Sequence, residues 1–157
     1  MITVLFVDLE NGARSQMAEA FMNKMGKGSF AAFSAGIRKG RASDIVREIM
    51  QDSGVNLSAF TPKEIIDFIR PEITFHYIIT VCSEKELDQC PVFPAACTRL
   101  HWVFEDPSRF EGREKEIKDQ YRRLRNLIRK VVSHFIKEQA GKPASVDSDL
   151  NFEAIIR

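Results

Sequence analysis

Cysteine is scarce in this 157-residue chain. The three that occur, Cys82, Cys90 and Cys97, fall within one segment, which is no framework for a secreted, disulfide-stapled domain and leaves only local thiol chemistry or a metal open to them. Long apolar runs are missing as well. Nothing approaches the roughly 18 residues that a membrane span needs, and residues 1–7 run into polar sequence with neither a basic flank nor a small-residue cleavage site. A soluble, cytoplasmic protein with no membrane partner is expected. Charge of one sign is also absent: 23 Lys and Arg oppose 22 Asp and Glu, a net charge of +1, so no global signature of nucleic-acid binding exists. The 44% hydrophobic content argues against a disordered chain, and the length suits one domain of about 150 residues.

What is present alternates between two periods. Residues 2–7 are an apolar, β-branched run, followed by the turn-like Glu10-Asn11-Gly12 and then by Met17, Ala18, Phe21, Met22 and Met25 at helical spacing. A second apolar stretch at 30–33 ends in Ser34-Ala35-Gly36, and Ile45, Val46, Ile49 and Met50 mark a helix that Gly54 stops. Thr61-Pro62-Lys63-Glu64 reads as an N-cap, first-turn proline and capping-box glutamate opening a short helix through Ile65, Ile66 and Ile69. Residues 75–81 form the strongest strand, apolar nearly throughout and fit for burial on both faces. A polar, cysteine-containing loop leads to a shorter strand at 98–104, and a long amphipathic helix spans 113–137. The basic face of that helix is interrupted by Glu114, Glu116 and Asp119, the composition of a solvated surface rather than of a nucleic-acid site.

This order implies a single α/β domain over residues 1–138, an open parallel four-stranded sheet flanked by helices, with 139–157 as a tail. Ligands in such sheets bind beyond the carboxyl ends of the strands, so the loops after residues 7, 81 and 104 share one rim. The first of them is Asp8-Leu9-Glu10-Asn11-Gly12-Ala13-Arg14-Ser15. Where a buried strand meets a helix N-terminus, successive N–H groups converge into a nest for an oxyanion, and Arg14 can clamp it with two hydrogen bonds. On spacing alone the segment reads equally as an ordinary loop capped by Asn11 or Ser15.

The loop, read with its neighbours, resembles a family. Asp8 to Ser15 is similar to the C-x-x-N-x-x-R-S phosphate loop of the low-molecular-weight tyrosine phosphatases and the thioredoxin-coupled arsenate reductases related to them. Ser34-Ala35-Gly36 resembles the family's motif after the second strand. Ile79-Thr80-Val81-Cys82 with Cys90-Pro91-Val92-Phe93-Pro94 resembles the reductase's redox segment, and His101 to Pro107 its aspartate-bearing segment. The resemblance implies a phosphatase-like fold, an anion loop of Leu9, Glu10, Asn11, Gly12, Ala13 and Arg14, a supporting hydroxyl on Ser15, and Asp106 as general acid or base. It also implies phosphate, arsenate or sulfate as ligand, a thioredoxin-like reductant for Cys82 and Cys90, and no cofactor.

One departure dominates: the position of the nucleophilic cysteine holds Asp8. A carboxylate keeps the charge of a thiolate but not its soft sulfur, so the family's usual reaction is expected to fail, and Asp8 is expected to pair with Arg14 in imitation of the bound anion. The alternatives are an active phosphatase or reductase working through Asp8 or the Cys82-Cys90 pair, and a non-catalytic module that binds an oxyanion or a phosphorylated ligand. Seven residues separate Cys82 from Cys90 where the family usually has six, and without a loop cysteine the two thiols are read as inert in arsenate chemistry, although a disulfide between them stays feasible. Cys82, Cys90, Cys97 and His101 lack the tight Cys-x-x-Cys pair of structural zinc sites, so no metal is expected. Trp102 is read as packing, and His76 as a paired core or edge residue.

Overall fold

The strand at the centre of the sheet is apolar on both faces. In the computed structural model, which describes residues 1–90, 96–140 and 142, this strand is β1 (Ile2–Asp8). Its side chains alternate: Val4 and Phe6 enter one core, Leu5 and Val7 another. β2 (Phe30–Gly36), β3 (Tyr77–Thr80) and β4 (Thr98–His101) complete a sheet in the order β2-β1-β3-β4, every pair parallel. The expected single α/β domain with a four-stranded parallel sheet is what forms.

Helices α1 (Arg14–Met25), α2 (Asp44–Asp52) and α3 (Glu114–Gln139) send Met17, Phe21, Met22, Ile49, Ile128, Val132 and Phe135 into the larger core, where they meet Phe6, Ile79 and Trp102. Trp102 is fully buried and stacks at a tilt on Phe6 and edge-on to Phe135, as its reading as a packing residue requires. The opposite core is smaller, with Ile65 and Ile78 joining Leu5, Val7 and Ala35. His76 is exposed just before β3, its Nδ1 accepting the Thr3 N–H at 3.1 Å. Among the described residues no helix is long and apolar enough to cross a membrane.

Three expectations change in detail. The anticipated helix from Thr61 is instead a single 3-10 turn, Ile65–Phe68, preceded by extended chain and uncapped by any side chain. The reason lies in the backbone of Lys63, whose C=O accepts the Gly36 N–H (2.8 Å) and whose N–H donates to Asn11 Oδ1 (3.0 Å), so neither is free for a first helical turn. The strands expected at 75–81 and 98–104 are shorter, yet single hydrogen bonds carry the pairing on: Val81 N–H to the Val7 C=O, and Trp102 N–H to the Thr80 C=O, both 2.8 Å. Lastly, the polar loop after β3 is not featureless but coils into a 3-10 segment, Glu84–Gln89. Most of the expected tail falls outside the described residues, and α3 ends at Gln139, whose side chain accepts from the Tyr77 hydroxyl at 3.1 Å.

Because β2 and β3 lie on opposite sides of β1, the chain reverses its direction of winding at the carboxyl end of β1. Loops there are pushed apart, leaving a crevice for a ligand. The energetic anchor of this frame is the aromatic cluster beneath it. Replacing Phe135, whose ring touches Phe30, Tyr77 and Trp102, by Ala should cost about 3–5 kcal/mol in denaturant unfolding, while Ile66→Ala, at a side chain 62% exposed, should change stability by about 0.5 kcal/mol at most.

Candidate active site

Asp8 ends β1 at the crevice and is buried. Its Oδ1 accepts the Asn11 N–H at 2.6 Å and its Oδ2 the Ser15 N–H at 2.9 Å, so the carboxylate is held from above by the loop and by the first turn of α1. Burial pushes its carboxyl above the ordinary aspartate range, against the opposing pull of the Arg14 charge and these N–H groups.

The loop between them owes its shape to Asn11, the one described non-glycine residue with positive φ (+55°). Every polar atom of its side chain is engaged: Nδ2 donates to Ser15 Oγ (2.8 Å) and Ser34 Oγ (2.9 Å), and Oδ1 accepts from Lys63. Ser34 in turn donates to Glu19. Gly36 explains the rest of the Ser-Ala-Gly motif, because a Cβ there would meet Asn11 N at 2.7 Å and the Glu10 carbonyl carbon at 2.6 Å. Only glycine lets β2 run this close under the loop. Neither Asn11 nor Ser15 caps α1; the N-cap position is Ala13, with no side-chain bond.

Arg14 is 5% exposed. The expected Asp8–Arg14 ion pair does not form. Instead the guanidinium meets Glu86 as two parallel hydrogen bonds, Nη1 to Oε2 at 2.6 Å and Nη2 to Oε1 at 2.8 Å, with Asp106 Oδ1 3.9 Å from Nη2. The physical reason is that Asp8 is short and both its oxygens are turned to backbone N–H groups, whereas Glu86 reaches across from the 3-10 segment and offers one oxygen to each Nη, Oε2 also accepting the Ser83 N–H. The resident acidic partner of Arg14 is therefore Glu86. A cleft of about 250 Å³ opens over this cluster, lined by Asp8, Arg14, Glu86, Asp106, Arg38 and Tyr121 among others.

Sequence reasoning missed Glu86. Its signal was there, since Ser83 and Glu86 have capping-box spacing and the Ser83 N–H does donate to Glu86 Oε2 at 2.7 Å. Such a pair reads as a helix start, and nothing local announces that the carboxylate also serves a guanidinium 72 positions earlier. Asp106 both accepts the Ser108 N–H (3.0 Å), as a turn-initiating aspartate does, and sits at the rim of the cleft.

The thiols divide. Cys82, buried where β3 ends, and half-buried Cys90 bring their sulfurs to 2.7 Å, while Cys97 packs against the opposite core. Hydrogen bonding to Cys90 and burial push the Cys82 thiol up, and the same bond draws Cys90 down. Residues Pro91 to Pro94 of the redox-like segment lie outside the described residues.

For Glu86, burial alone would raise the carboxyl, but hydrogen bonds from Arg14 and the Ser83 N–H bring it down to about 2 from an ordinary 4.5. A group depressed on folding contributes stability that is complete above its unfolded value and disappears as the pH falls through its folded one. The advantage of the wild type over Glu86→Gln in thermal unfolding should thus be constant above about pH 4.5 and vanish toward about pH 2. Asp8 has the opposite sign and is common to both proteins, so it drops out of the difference.

A family model described as low molecular weight phosphotyrosine protein phosphatase matches residues 3–149. An arsenate reductase from Bacillus licheniformis is 32% identical over 135 residues, covering 85% of this chain and 94% of its own. Among solved structures, an arsenate reductase from Archaeoglobus fulgidus superposes with a TM-score of 0.70 at 30% identity, over 85% of this chain and 98% of that one. A structure described as an arsenate reductase in the phosphate binding state gives 0.69 at 26% identity, over 88% and 98%. With the loop, the sheet order and these likenesses in agreement, the chain belongs to the family of low-molecular-weight phosphotyrosine protein phosphatases and the arsenate reductases related to them.

Proposed function

We propose that this chain binds a tetrahedral oxyanion, phosphate or arsenate with sulfate as a mimic, in the loop that its family uses for catalysis, and that it is silent in the family's cysteine-dependent reaction. The observation that carries the reading is the state of Asp8. At the position where the family pattern has its cysteine, a carboxylate is fastened by two backbone N–H groups, one on each oxygen, which draw electron density from the atom that would have to attack phosphorus or arsenic. The anion-binding parts remain: a buried guanidinium, an ordered loop and an acid at the rim. The relative whose structure is described as in the phosphate binding state supports the ligand class. A cytoplasmic setting fits a chain with free thiols.

A second reading is favoured by one contact. Sulfurs 2.7 Å apart at Cys82 and Cys90 suit a thiol–disulfide pair that a thioredoxin-like reductant would recycle, without any chemistry at Asp8.

In assays of aryl phosphate hydrolysis and of thioredoxin-coupled arsenate reduction, the wild type should be no faster than Arg14→Ala. Asp8→Cys, which restores a soft nucleophile, should gain about a hundredfold or more in hydrolysis. Wild-type turnover well above the Arg14→Ala control and abolished by Asp8→Ala would mean an aspartyl-phosphate enzyme and overturn the proposal. Arsenate reduction abolished by Cys90→Ser but not by Asp8→Ala would establish the second reading.

A further inference from the structure

The two faces of the sheet are not equally covered. α1, α2 and α3 all contribute to the larger core, on the face of Val4, Phe6 and Ile79. A parallel sheet normally buries both faces. On the other face, that of Leu5, Val7 and Ile78, the cover drawn from residues 61–75 is extended chain and the 3-10 turn Ile65–Phe68, because the helix expected from Thr61 does not form. A groove of about 360 Å³ is left there, with Leu5 and Ile78 as its floor and Ile65, Phe68, Ile73 and Phe75 in its walls. Ile69 also lines it and is 51% exposed, and Phe33, whose ring packs on Phe68 and Phe75, is 39% exposed. Apolar surface gathered in one place in this way marks a docking surface.

The charge of the groove narrows what fits it. Among the described residues that line it, Arg70 is the only charged one. Arg99 is registered with Ile78, which puts it on the same face of the sheet, and it is exposed. The groove therefore suits a segment that is both apolar and acidic, and the chain carries one. Residues 143–157 lie outside the described residues, and within them Leu150, Phe152, Ile155 and Ile156 are interspersed with Asp147, Asp149 and Glu153. The family model matches only as far as residue 149, so the apolar stretch 150–156 is additional to the family's pattern.

The position of α3 brings that stretch within reach. α3 ends at Gln139, whose side chain holds the Tyr77 hydroxyl, and Tyr77 opens β3 immediately before Ile78. The chain thus leaves the body at the amino end of the strand that floors the groove. The residues between Lys142 and Leu150 span up to about 25 Å when extended. Packed layers are only roughly 10 Å apart, so the chain can pass beneath the end of β3 to the opposite face.

We propose that residues 150–156 of this chain seat in the groove over Leu5 and Ile78, Leu150, Phe152, Ile155 and Ile156 covering its apolar walls while Asp147, Asp149 and Glu153 are drawn to Arg70 and Arg99. The segment takes the place of the helix that residues 61–75 do not form. Because it is tethered, its effective concentration at the groove is on the order of millimolar, so a contact too weak to hold a free peptide suffices to hold it.

The test is nitrogen-15 relaxation and amide hydrogen exchange on the full-length protein, with light scattering of the same samples. In wild type the amides of 150–156 should be as rigid as the sheet, with order parameters near about 0.85, and the protein should be monomeric. Phe152→Ser in the segment and Ile69→Asp at the half-exposed edge of the groove should each lower those order parameters below about 0.6. Amides of 65–78 should exchange about tenfold or more faster in Phe152→Ser than in wild type. Arg70→Glu should loosen the segment in part. Residues 150–156 as mobile in wild type as in Phe152→Ser would overturn the proposal, as would chemical-shift changes from Phe152→Ser that fall away from the groove, for example at the cavity between Met1 and Gln139. A dimer whose segment loses its order in step with dissociation on dilution would also overturn it, by placing 150–156 in the groove of a second copy. None of these results bears on the anion site, which lies beyond the carboxyl ends of the strands.

Discussion

A buried guanidinium must have an acidic partner. Arg14 cannot lose its proton, and an unpaired charge in this crevice would cost several kcal/mol. That requirement organises the molecule's functional end. The fork of Glu86 on Arg14 joins two loops that are distant in sequence, one leaving β1 and the other leaving β3, across the line where the sheet changes its direction of winding. An incoming oxyanion offers the same chemistry as Glu86: two oxygens at a spacing that a guanidinium can grip, and negative charge to meet its positive one. On the proposed reading the site is a competition between an internal carboxylate at high effective concentration and an external anion, decided by how easily the internal one is moved.

Asp8 fixes the other half of the site. Where a thiolate would project into the loop as a nucleophile, the carboxylate is drawn into the ring of N–H donors and stays there. The loop's shape is enforced from below, by Asn11 in the left-handed region with all its side-chain bonds made, and by Gly36 leaving room for the loop backbone. On the proposed reading, that is how the loop keeps its shape with a carboxylate in the place of the nucleophile.

Much of this was legible in the sequence. The alternation of periods announced β1, α1, β2, α2, β3 and α3, because each buries a face whose spacing is set by backbone geometry alone, and the parallel sheet followed from their order. The order of strand, loop and helix located the loop after β1, and the family resemblance singled out Asn11, Arg14 and Ser15 within it and Asp106 at its rim. What stayed hidden depended on tertiary competition for hydrogen bonds. Thr61 to Glu64 carry every local mark of a helix start, yet Lys63 gives its backbone groups to Gly36 and Asn11. Glu86 has the local mark of a cap and serves as one, while its second role depends on a residue in another loop. The partner of Arg14 was misassigned to Asp8 because nearness in sequence stood in for geometry that only the fold supplies.

The central claim is that Glu86 stands in for the anion on Arg14. It is tested most directly by crystals of the reduced protein examined before and after soaking in arsenate, with the arsenic located by its anomalous scattering. The account predicts Glu86 on both Nη atoms before the soak, and afterwards an arsenic peak within the loop, its oxygens on Arg14 and the Glu86 carboxylate displaced. Arsenic bound in the loop with Glu86 still on Arg14, or Arg14 paired with Asp8 in the unsoaked crystal, would contradict it.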